Sequence, residues 1–137
     1  MSRKKYMLDT DVFSYLVTNR HPEARCKAIR CKESISLSVV TVAEALFGAR
    51  KRGSKKLESL VNLFLEMFPA VDWTVAAAMA YSDIRVALER QGEPIGEMDM
   101  MIAATALSGG YVLVTNNMRH FSRVPGLKIE NWTAKSA

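Results

Sequence analysis

The sequence predicts an α/β fold built on a short, mainly parallel sheet. Strand-length apolar runs alternate along the chain with longer stretches whose apolar residues recur every three or four positions, the period of a helix lying on a core. The run Val112-Leu113-Val114 is apolar on both faces, as in a buried strand of a parallel sheet. Of the 137 residues, 49% are apolar, enough for one hydrophobic core, and no internal repeat or low-complexity stretch interrupts them. One domain over residues 1–137 is expected.

Lys5 to Leu8 forms a short strand, followed by Val12, Phe13, Tyr15 and Leu16 at helical spacing and a second helix after Pro22. Asp9 then falls at a strand-to-helix junction. Ile35 to Ser38 alternates like a strand, and Ser38 can cap a helix running to about Arg52, where Gly53 stops it. Glu44 lies in that helix's second turn. Lys55 to Met67 carries a stripe of Leu57, Leu60, Val61, Phe64 and Leu65, which marks an amphipathic helix. Pro69 breaks it, Ala70-Val71 makes a brief strand, and Thr74 to Arg90 is a long helix ended by Gly92. After a loop from Gly92 to Gly96, a helix from about Met98 to Ser108 closes at Gly109-Gly110. Leu127 to Glu130 adds a strand after Val112 to Val114. Sites in such sheets gather at the carboxyl ends of the strands.

The chain holds 19 Lys and Arg against 14 Asp and Glu, and this net charge of +5 favours a polyanion partner, although proteins that bind no nucleic acid also reach it. The basic start, Arg3-Lys4-Lys5, has too few apolar neighbours for a signal-peptide core, and the apolar run near Val75 to Tyr81 is far short of the ~20 residues of a membrane helix. A soluble, cytoplasmic protein without a membrane partner is expected. Cys26 and Cys31, five apart, match no zinc spacing and read as free thiols.

Asp9, Glu44 and Asp99 stand out because each interrupts an apolar stretch. Each has an ordinary reading: Asp9 can cap the first helix, Thr41-Val42-Ala43-Glu44 has the form of a capping box, and Asp99 can face its helix's positive end. If Ser38 is the cap, however, Glu44 shares a face with Val40, Ala43 and Phe47 and points inward. Asp99 similarly shares a face with Ile102, Ala103 and Ala106. Burying an unpaired charge costs on the order of several kcal/mol, and three gathered acids repel one another unless a cation compensates. Carboxylate oxygens suit Mg²⁺ or Mn²⁺, whereas two His and two Cys are too few to argue for zinc. An acidic pocket in a basic body suggests a nuclease.

Met7-Leu8-Asp9-Thr10-Asp11, Thr41-Val42-Ala43-Glu44, Pro94 to Asp99, Val114-Thr115-Asn116-Asn117 and Phe121 to Leu127 together resemble a PIN domain over essentially the whole chain. More narrowly, they and the closing Glu130-Asn131-Trp132 resemble VapC-type ribonuclease toxins of bacterial toxin–antitoxin pairs. The resemblance implies a three-layer α/β/α domain with four or five mainly parallel strands. It also implies Mg²⁺- or Mn²⁺-dependent endoribonuclease activity on Asp9, Glu44 and Asp99, inhibition by a cognate VapB-type antitoxin, and a homodimer. The antitoxin is expected to lay an apolar segment in a groove between helices, with the Leu57-Leu60-Val61-Phe64 stripe as one candidate surface; core packing or dimerisation explains that stripe equally well.

Asn117 replaces a carboxylate used in some PIN branches, and His120 stands where close VapC relatives usually carry Glu. Asn117 can orient a water or a phosphate; His120 can bind metal, donate a proton, or be an exposed loop residue, which is the favoured reading. Asp11, usually Asn in the group, restores a charge or caps the helix. Thr10, Thr115 and Asn116 are candidates to hold the metal's water or the substrate, and Arg119 and Arg123 to hold RNA backbone. Two other functions compete: a catalytically dead PIN module that binds RNA or a partner, and a haloacid-dehalogenase-like phosphatase with Asp9 as nucleophile. The second rests only on Leu8-Asp9-Thr10-Asp11-Val12.

Overall fold

The computed structural model describes residues 3–133; Met1 and Ser2, ahead of the basic stretch, lie outside the described residues. Five strands form one fully parallel sheet in the order β3-β2-β1-β4-β5, with β1 Tyr6–Leu8, β2 Ile35–Ser38, β3 Ala70–Val71, β4 Val112–Val114 and β5 Ile129–Glu130. From the central β1 the chain builds outward through β2 to β3, then returns to β1's other side as β4. That reversal opens a crevice at the carboxyl ends of β1 and β4, the general location of ligand sites in open parallel sheets. Leu8 is in register with both Leu37 and Val114, so Asp9, Ser38 and Thr115 stand at one level at the carboxyl ends of their strands.

The side-chain alternation of the strands divides the core. Leu8, Leu37 and Val114 face one layer, made by α1 Thr10–Val17, α2 Pro22–Arg30, α3 Val39–Arg52 and α4 Lys55–Met67. Met7 and Leu113 face the other, made by α5 Val75–Arg90, α6 Glu97–Gly109 and α7 Met118–Phe121. Within α6, Met100 and every residue from Ile102 to Ala106 are buried, because the helix is covered by the sheet on one side and α5 on the other. In α4, Val61 and Phe64 go into the core while Leu57 and Leu60 are only half-buried. The stripe is therefore mainly core packing, with its N-terminal end open.

The expected cap Ser38 accepts from the Val40 amide at 3.1 Å, and Ser54 and Thr74 cap α4 and α5 in the same way, accepting from the Leu57 and Ala77 amides at 3.1 and 3.0 Å. Two elements were not anticipated, a 3₁₀ turn at Lys32–Ser34 and the single-turn α7. Such short segments carry no readable period; α7 is held by the buried Phe121, with Val124 beside it in the same core. Among the described residues, no helix is long and apolar enough to cross a membrane.

Candidate active site

Asp9 follows β1 directly and is 4% exposed. It caps α1, its Oδ1 accepting from the Val12 amide at 2.8 Å, and it also accepts the Thr115 hydroxyl from the end of β4. These bonds favour the carboxylate, but burial outweighs them and, helped by repulsion from Asp11 and Asp99, pushes its pKa from 3.8 up to about 6. The helix-cap bond engages Oδ1, and a carboxylate carries a second oxygen, so capping α1 does not by itself exclude a further partner for Asp9.

Glu44 is placed by Ser38, which begins α3 and puts the acid in the second turn. Its expected inward face is not what holds it. Val40 is buried, but Ala43 is exposed and Phe47 is 65% exposed, because the α3 face carrying Ala43 and Phe47 looks outward. Glu44 is instead tethered by Thr10 Oγ1, which donates to Glu44 Oε1 at 2.7 Å and lies 3.2 Å from Thr41 Oγ1. Thr41, fully buried, is part of this anchor and not of a capping box. Thr10→Val should therefore lower metal affinity and cleavage by roughly tenfold while sparing the fold, as read by a metal titration of melting temperature beside kinetics.

Asp99 lies in the first turn of α6 with Ile102, Ala103 and Ala106 buried behind it, as expected. Burial, then repulsion from Glu44 and Asp11, raises its pKa, and His120 works against the rise. Asp9, Asp11, Glu44 and Asp99 are thus close enough to repel one another across the crevice. The set is all oxygen and short of positive charge, which fits a hard divalent cation. Among the described residues no three His, Cys, Asp or Glu side chains form a closed cage, so the acids would have to draw in around an ion.

His120 departs from the favoured reading: it is on α7, half-buried and within electrostatic reach of Asp99. Asn117 Nδ2 lies 2.9 Å from His120 Nδ1; with the amide donating, the neutral ring keeps its proton on Nε2. The Asn117 amide itself donates to Thr115 Oγ1 at 2.9 Å, so Thr115 couples Asn117 to Asp9. Asn116 is tied to α1, its Nδ2 donating to the Tyr15 hydroxyl at 3.1 Å. Arg119 is exposed. Arg123 is engaged elsewhere: Nη1 donates to the Glu93 carbonyl at 2.5 Å and pairs with Glu93 Oε2 at 2.8 Å, pinning the loop before α6. Its isolation in sequence from any acid concealed that partner.

A model of the PIN domain matches residues 6–127. The chain belongs to the PIN-domain family. This PIN domain is 35% identical to the tRNA(fMet)-specific endonuclease VapC of Shigella flexneri, over 94% of the chain and 98% of that protein. Among solved structures it is similar to DNA-bound VapBC from Salmonella typhimurium, with a TM-score of 0.85 and 34% identity over 95% of this chain and 99% of that one. It is equally similar in shape to VapBC2 from Rickettsia felis bound to a promoter DNA fragment, at 0.85 and 30% identity over 93% and 98%. The Asp-x-Asp likeness to phosphatases is thus a local coincidence within a PIN domain.

Proposed function

We propose that this PIN domain is a metal-dependent endoribonuclease, the VapC-type toxin of a toxin–antitoxin pair. The observation that carries the reading is the convergence of Asp9, Glu44 and Asp99 on the β1–β4 crevice of a chain that VapC relatives match nearly end to end. Asp9, Glu44 and Asp99 would hold Mg²⁺ or Mn²⁺, which when bound supplies positive charge to polarise the scissile phosphate and acidify the attacking water. Thr10 fixes Glu44 and Thr115 fixes Asp9, so two of the three ligands are oriented before any ion arrives. His120, with Nδ1 engaged by Asn117, keeps Nε2–H for a phosphate oxygen. A VapB-type antitoxin inhibits the enzyme, two copies pair, and the complex acts in the cytoplasm.

The test is cleavage of purified RNA with Mg²⁺, Mn²⁺ or chelator. Transfer RNA(fMet), the substrate of the Shigella relative, comes first. Cleavage that needs the metal is expected. Cleavage unaffected by chelator would sink the metal mechanism, and RNA binding without cleavage under every condition would favour a dead module, the reading that the neutral Asn117 motivates.

A further inference from the structure

We infer that the groove between α1, α3 and α4 seats the RNA strand beside the scissile phosphate, with Arg52 and Lys56 holding its flanking phosphates. This rests on the ribonuclease reading above. The groove, about 200 Å³, begins at the acids with Thr10, Asp11 and Glu44, runs over an apolar floor that includes Val17, Leu57 and Val61, and ends at Arg52. From Glu44 to Arg52 it follows eight residues of α3, about 12 Å along the helix axis. Beyond Arg52 a shallow depression shared with Lys56 and Leu60 continues over the turn into α4.

Charge selects the occupant. Arg52, Lys55 and Lys56 are exposed and, among the described residues, make no ion pair, whereas the neighbouring Arg50 is taken by Glu58 at 3.2 Å. A metal centre engages only the phosphate being cut, so a polynucleotide needs cations further along its backbone. The apolar floor between the two ends suits the face of an unstacked base. Arg123, bound to Glu93, is not available for that task.

Gly48 supports the same assignment. Glycine is a poor helix former, yet it lies mid-helix in α3 and lines the groove. A Cβ built there meets nothing within 4 Å, so close packing does not require glycine at this position. What a side chain would do there is fill the channel.

The double variant R52A/K56A and, separately, Gly48→Leu are compared with wild type in RNA cleavage, thermal melting and salt titration. A fluorescent single-stranded RNA is also titrated onto each variant in an Asp99→Asn background. For R52A/K56A, kcat/KM should fall about tenfold through KM, and the slope of its logarithm against log salt should flatten by about 1.4, two single-strand phosphate contacts at ~0.7 each. Gly48→Leu should weaken RNA binding and cleavage several-fold without lowering the melting temperature. Wild-type cleavage with unchanged KM, salt slope and RNA affinity in both variants overturns the inference alone, including when only inhibition by a protein partner is altered. A wild type that binds RNA through Arg52 and Lys56 but does not cut it overturns the ribonuclease reading alone. If the wild type neither binds nor cuts RNA, both fall. Should Gly48→Leu misfold, R52A/K56A decides.

Discussion

Replacing Asp99 by Asn is expected to lower the rate of RNA cleavage at saturating Mg²⁺ on the order of 10²–10³-fold, the usual cost of removing one preorganised electrostatic group from an active site. The substitution is nearly isosteric, and the buried residues behind it, Ile102, Ala103 and Ala106, are untouched, so the fold should survive. It removes one carboxylate from a set in which Asp99 repels Glu44 and Asp11, which eases the apo protein while weakening its hold on a cation. The loss should appear in kcat and in the metal concentration for half-maximal activity, with circular dichroism unchanged. Cleavage within twofold of wild type, in a folded protein, would remove Asp99 from the site.

The second large effect concerns stability without metal. Folding raises the Asp9 pKa from 3.8 to about 6, so between those values the folded chain binds more protons than the unfolded one. Asp9's own contribution is then most favourable below pH 4, declines as pH rises through about 6, and is flat above, a loss on the order of 3 kcal/mol at neutral pH. Asp99, raised in the same direction, adds to this slope. Glu130, whose pKa its Trp132 and Lys4 bonds hold down, acts in the opposite sense. Asp9→Asn removes the ionisation yet can still cap α1, so in chelator at pH 8 it should raise the melting temperature, by up to about 10 °C if the whole term is recovered. Millimolar Mg²⁺ should stabilise wild type at the same pH and leave Asp9→Asn almost unmoved. A metal-free melting temperature of wild type that does not fall relative to that of Asp9→Asn between pH 4 and pH 7, or a Mg²⁺ response undiminished in Asp9→Asn, would contradict the site.

Elements governed by local rules were legible in advance. Helices α3, α4 and α5 begin at Ser38, Ser54 and Thr74 because each offers a side-chain oxygen to an amide two or three residues on, a preference written in adjacent residues. The buried strand β4 and the acids interrupting apolar runs were readable for the same reason. His120 was not: whether a residue after β4 is an exposed loop or a half-buried helical neighbour of Asp99 depends on Phe121 reaching a core built from distant segments. Nor was Glu44's true support, since Thr10 is 34 residues away and the apolar Ala43 and Phe47 suggested an inward face that proved to be outward.

By itself, then, the sequence determined the α/β class, the order of elements and the three acids, because period, caps and misplaced charge are properties of neighbours along the chain. Tertiary structure decided what those acids face. The register of Leu8 with Leu37 and Val114 brings Asp9, Ser38 and Thr115 to one edge, and the packing of α1, α3 and α4 opens a groove from Glu44 to Arg52. Contacts between segments tens of residues apart are fixed by how whole faces bury together, and no local pattern encodes that outcome.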